Sequence, residues 1–89
     1  MTERFENVFD ALSDSPEEAV NLKLRAELMR EIRHKIEDSG WTQSITAEKL
    51  SVSQPRVSDL LNGKISKFSL DALVNMLATL GGEISLEVA

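Results

Sequence analysis

Cysteine and tyrosine are both missing from the 89-residue chain, which has a single histidine and a single tryptophan. Without thiols there can be no disulfide, no thiolate nucleophile and no Cys-based zinc site, which suits a reducing, cytoplasmic setting. The lone His34 has Asp38 one helical turn away as a second ligand, one too few for a metal, so it reads as a surface residue. With one histidine and scattered serines, no acid–base pair or activated nucleophile can be assembled. Enzymatic activity and a cofactor are therefore not expected. Long apolar runs are also lacking: nothing approaches the roughly 18 residues of a membrane span. The acidic start, Met-Thr-Glu-Arg-Phe-Glu, is unlike a secretory signal. No internal repeat or low-complexity tract is visible.

Positive charge is scarce overall, and the formal net charge of −5 speaks against indiscriminate binding to a polyanion. Its distribution changes that reading. Residues 1–18 hold six acids (Glu3, Glu6, Asp10, Asp14, Glu17 and Glu18) against Arg4 alone. Residues 41–82 hold four bases (Lys49, Arg56, Lys64 and Lys67) against three acids (Glu48, Asp59 and Asp71). The acidity is segregated from residues 41–82.

A chain this short supports one core. In residues 1–14, Phe5, Val8, Phe9 and Leu12 are spaced for one face of a helix. Two readings of this acidic arm stand open: a short docked helix, or a segment that stays mobile until a partner covers it. Ser15-Pro16-Glu17-Glu18 combines a cap, a first-turn proline and a capping box, predicting a helix start. Ala19, Val20, Leu22, Leu24, Leu28, Met29, Ile32 and Ile36 then form an apolar stripe that ends near Gly40. Arg25, Arg30, Arg33 and Lys35 interleave with Glu27, Glu31 and Glu37, predicting ion pairs on the helix surface.

From Thr42 the pattern breaks into short helical units over residues 42–50, 53–61 and 69–80, with Ser53 and Ser69 in cap positions and Gly63 and Gly81 at stops. Trp41 and Phe68 adjoin helix ends and read as core seals rather than nucleotide-stacking residues. Residues 83–89 alternate polar and apolar after Gly81-Gly82, a strand signature. A lone strand cannot satisfy its backbone, so Ile84, Leu86 and Val88 are expected to pair with the same strand of a second copy. A homodimer follows.

Ala47 at a helix crossing and Val52 just beyond a turn meet the steric needs of two steeply crossed helices. Gln54, Arg56, Ser58 and Asp59 lie off the apolar face made by Val57, Leu60 and Leu61, where they can enter a major groove about 12 Å wide. With Thr42-Gln43 opening the first helix, Leu50, Ser53-Gln54 opening the second and Asn62-Gly63 closing it, residues 42–62 resemble the Cro/repressor-like (Xre-type) helix-turn-helix family. The flanking helices extend the likeness to about three quarters of the chain. Two positions depart from the pattern: Ser51 stands where glycine is common, and Thr46 where an apolar residue is usual. Ser51 would need a left-handed backbone, and Thr46 could bury its methyl while bonding a carbonyl one turn back.

The resemblance implies an all-α, lambda-repressor-like bundle, to which the C-terminal strand would be added. Residues 1–14 would form an arm, 15–82 the DNA-binding domain and 83–89 the dimerisation strand. It also implies base reading by Gln54, Pro55, Arg56 and Ser58. Phosphate contacts would come from Thr42, Gln43, Ser53, Asn62, Lys64, Ser66 and Lys67. Segments such as Asn21-Leu22-Lys23-Leu24-Arg25 and Lys67-Phe68-Ser69-Leu70-Asp71 are similar to the small antitoxins of the Hig type. That likeness implies a dimeric repressor on a palindromic operator of its own operon. The alternative is an antitoxin whose main role is to hold a small toxin protein, with residues 1–25 wrapping it.

Overall fold

The computed structural model describes residues 15–87. The arm over residues 1–14, and Val88 and Ala89, lie outside the described residues. Four α-helices are present among them: α1 (Pro16–Ser39), α2 (Gln43–Leu50), α3 (Gln54–Leu61) and α4 (Leu70–Thr79), with a single 3-10 turn at Ile65–Lys67 between α3 and α4.

Each helix begins on a hydroxyl. Ser15, Thr42, Ser53 and Ser69 have extended backbones, and their side-chain oxygens accept from the amides of Glu18, Ile45, Arg56 and Ala72 at 3.1, 3.1, 3.3 and 3.1 Å. Such a cap satisfies an otherwise unpaired N–H and contributes about 1 kcal/mol. α1 stops where Gly40 turns left-handed (φ 69°) and its N–H reaches the Glu37 carbonyl.

At 24 residues α1 is about 36 Å long, close to the 39 Å long axis of the molecule. Its C-terminal half carries Met29, Ile32 and Ile36 into a core shared with Leu50, Leu60, Phe68, Leu73, Met76 and Leu77. The expected stripe splits: Ala19, Leu22, Met29, Ile32 and Ile36 are buried, whereas Val20 and Leu24 are exposed. Arg25 falls in helical register with Leu22, Met29, Ile32 and Ile36. It therefore sits on the inner side of α1, not among the surface charges where the sequence placed it. Among the described residues, Arg30, Arg33 and Lys35 make no ion pair with Glu27, Glu31 or Glu37. On this helix the expected surface ladder is not formed.

The expected C-terminal strand is absent. Residues 82–87 run without strand structure, and Ile84 and Leu86 are exposed, while Val88 lies outside the described residues. The reason lies at the end of α4. Gly81 is left-handed (φ 80°), and the Gly82 N–H donates to the Leu77 carbonyl at 2.9 Å. The tail is thereby turned over α1 and α4, where no second strand is within reach among the described residues. It lines one side of an apolar groove of about 440 Å³ with Leu24, Leu28, Leu70, Val74 and Leu77, edged by Glu27, Glu31 and Glu83. Period-two alternation marks an extended chain, and an extended chain laid beside a groove has the same pattern as a strand.

Candidate nucleic-acid interface

α2 and α3 are joined by three residues, and the sharpness of that turn rests on Ser51. It adopts φ 57°, ψ 43°, and two bonds close the end of α2: Ser51 N–H to the Glu48 carbonyl at 3.3 Å and Val52 N–H to the Ala47 carbonyl at 3.0 Å. The left-handed serine expected from the sequence is therefore present, at the steric cost a Cβ brings there. Thr46 also behaves as expected. It is fully buried, and its hydroxyl donates to the Thr42 carbonyl at 2.8 Å. Ala47 is buried at the crossing, with Val57 and Leu60 fully buried behind α3.

This packing leaves the N-termini of α2 and α3 outermost. Thr42, Gln43, Ser53, Gln54 and Pro55 are all exposed. Both caps spend an acceptor lone pair on a helix amide, leaving the Thr42 and Ser53 hydroxyl protons available to an acceptor such as phosphate. Gln43 and Gln54 each open a helix, where unpaired N–H groups favour an anion and a long amide can reach past them. Ser58 is half-buried and accepts from Asn62 Nδ2 at 3.3 Å, so these two engage each other one turn apart.

The loop after α3 supplies the remaining candidates. Gly63 is left-handed (φ 71°), and the Lys64 N–H donates to the Asp59 carbonyl at 3.0 Å, which lets the chain reverse into the 3-10 turn. Lys64, Ser66 and Lys67 are exposed along that turn. The lysines are not solitary: Lys64 Nζ lies 3.4 Å and Lys67 Nζ 3.8 Å from the two oxygens of Asp59. Arg56 departs furthest from its neighbours. Its guanidinium packs 4.2 Å above the Phe68 ring, and Nη1 donates to the Lys67 carbonyl at 2.8 Å. Phe68 is buried, the core seal the sequence indicated. Trp41 is only half-buried, with Lys49 Nζ 5.8 Å from its ring centre.

The contacts of three residues escaped sequence reasoning. Asp59 joins Lys64 and Lys67 across a turn, at spacings of five and eight that no helix rule covers. Arg25 donates from α1 to the Ile65 and Phe68 carbonyls, 40 and 43 residues away. Its register with Leu22 and Met29 was the available signal. Phe68 was placed in the core without its role as a platform for Arg56. Among the described residues no three His, Cys, Asp or Glu side chains converge to hold a metal. No helix there is long and apolar enough to cross a membrane.

Comparison with known proteins agrees with this geometry. A family described as a helix-turn-helix domain matches residues 11–89. A solved structure described as an XRE-family transcriptional regulator superposes with a TM-score of 0.72 at 25% sequence identity, covering 78% of each chain. No protein of curated function matches.

Proposed function

The chain belongs to the helix-turn-helix domain family, and from that premise we propose that it is a transcription regulator that binds double-stranded DNA as a homodimeric repressor of its own operon. The supporting observation is that the N-termini of α2 and α3 and the loop after α3 form an exposed polar edge with Lys64 and Lys67, while residues 1–18 hold six of the fifteen acids against one base. α3 enters the major groove with Gln54 foremost and Pro55 and Ser58 beside it, and Gln54 pairs with adenine through its amide. Thr42, Gln43, Ser53, Asn62, Lys64, Ser66 and Lys67 contact phosphate and set the register of the protein on the duplex. The similarity to an XRE-family regulator supports the same reading.

Residues 41–82 hold only four bases, too few for one copy to bind firmly at physiological salt. Two copies on a palindromic operator double the contacts, with half-sites about one helical turn apart. The exposed Ile84 and Leu86 beside the groove of α1 and α4 offer apolar surface for that association. The test is selection of bound duplexes from a randomised pool, followed by light scattering of the complex. A palindromic consensus bound by two copies is expected. Recovery of no preferred sequence would sink the reading.

The groove favours a second reading, an antitoxin of the Hig type whose main role is to neutralise a toxin protein. Its apolar floor and the carboxylates of Glu27, Glu31 and Glu83 suit a basic partner surface, and no residue of α2 or α3 lines it. A small basic protein encoded beside this chain, copurifying with it through residues 1–25 and the groove, is the expected finding. Failure of any such protein to copurify would exclude the reading, and copurification that survives both deletion of residues 1–14 and Leu24→Glu would place the partner elsewhere on the chain.

A further inference from the structure

The 3-10 turn at Ile65–Lys67 and Lys64 just before it present two of the candidate phosphate lysines, yet the turn's own backbone holds it weakly. Two bonds close it, Lys67 N–H to the Lys64 carbonyl at 3.0 Å and Phe68 N–H to the Ile65 carbonyl at 3.3 Å, and no side chain caps it. What fixes it comes from outside. Arg25 Nη1, from the inner side of α1, donates to the Ile65 and Phe68 carbonyls at 3.2 and 3.1 Å. Arg56 Nη1, from α3, donates to the Lys67 carbonyl at 2.8 Å while its guanidinium lies on Phe68. One guanidinium nitrogen from each of two helices thus holds three carbonyls of four consecutive residues.

We propose that Arg56, together with Arg25, is a positioning residue that sets the turn carrying Lys64, Ser66 and Lys67, and that Arg56 acts on DNA through this turn rather than by reading a base. In the observed arrangement one face of the guanidinium lies on Phe68 and Nη1 is committed to the Lys67 carbonyl, so a bidentate base contact through Nη1 would have to give up that bond. A charged donor on a carbonyl and a cation on an aromatic face are each favourable, and here one side chain makes both. The burial of Arg25 Nε without a partner points the same way. An unpaired buried donor is costly, and it accompanies a side chain whose other nitrogen holds two carbonyls. Lysine has a compact ammonium in place of the planar guanidinium, so it cannot lie flat on the Phe68 ring while also holding the Lys67 carbonyl as Arg56 does. For what the turn contacts, the proposal rests on the DNA-binding reading above. For how the turn is held, it does not.

The test uses the full chain and the variants Arg56→Gln and Arg56→Lys. Hydrogen exchange of the free protein is expected to quicken at the Lys67 and Phe68 amides in both variants, with the α1 and α4 core amides unchanged. Arg25→Lys should do the same from the other side. In duplex selection from a randomised pool, both Arg56 variants should return the wild-type consensus, bound roughly tenfold more weakly at every sequence alike. Unchanged exchange in the turn would overturn the proposal. So would a relaxed preference confined to one base pair, which is the signature of base reading. Should the wild-type chain select no sequence, the DNA-binding reading fails, while the exchange measurement still decides how the turn is held.

Discussion

The Asp59 carboxylate lies 3.4 Å from the ammonium of Lys64, a residue expected to meet phosphate, and its other oxygen lies 3.8 Å from Lys67. An acid of α3 therefore already pairs with both lysines that the proposed interface assigns to phosphate. Asp59→Asn should free both lysines. Binding to a random duplex should tighten, and the dependence of log affinity on log salt should steepen by about 1–2 in slope, since each phosphate neutralised contributes close to one. Fluorescence anisotropy across a salt series would show it; an unchanged slope would mean the lysines do not reach the backbone.

Gln54 and Lys64 should fail differently. Gln54→Ala should lower discrimination at particular base pairs of the selected duplex by about 1–3 kcal/mol. Lys64→Ala should weaken all duplexes alike and reduce the salt slope. Competition binding against single-base-pair variants separates the two patterns, and the assignment is lost if both residues give the same one.

Ser51 has the only positive φ of a non-glycine among the described residues. Ser51→Gly removes the Cβ from a left-handed site and should stabilise the fold by up to about 1 kcal/mol. Thermal unfolding should then show a Tm higher by several degrees. A lower Tm would show that the serine side chain contributes more than its backbone strain costs.

Thr46 offers an unusual contrast. Its hydroxyl donates to the Thr42 carbonyl at 2.8 Å, but that carbonyl already accepts from the Thr46 N–H at 2.9 Å. Thr46→Val leaves no acceptor orphaned and should stay within about 1 kcal/mol of wild type in urea unfolding. Thr46→Ser keeps the hydroxyl, deletes a buried methyl and should cost about 1 kcal/mol. The reverse order of stabilities would refute this account.

A Cβ on Gly82 would lie 2.5 Å from Leu77 Cδ1 and 2.6 Å from its Cγ. Leu77 belongs to the core and has little room to give. Gly82→Ala should therefore cost about 1–3 kcal/mol, as overpacking does. Denaturant unfolding with an unaltered midpoint would show that the tail moves instead.

What the sequence made legible was local. Caps, stops and the 3.6-residue spacing mark the four helices, because each depends on residues within a few positions. The left-handed Ser51 and the buried Thr46 were readable for the same reason. The contacts that finish the interface join distant parts of the chain. The register of Arg25 places it on the inner side of its helix but does not reveal a reach across 40 residues, and Asp59 meets its lysines around a bend, which leaves no periodic trace. The tail misled because alternation identifies an extended backbone without identifying what lies beside it. Whether such a segment becomes a strand depends on a neighbouring edge that composition does not contain.

Leu24 lines the groove, and Arg25 holds the turn that carries the lysines. They are consecutive residues, about 100° apart around one helix. An occupant of the groove and a duplex gripped by the turn would therefore share a single rod as their common support. Whatever free energy one contributes to the binding of the other is returned in equal measure, because linkage between two sites has no preferred direction.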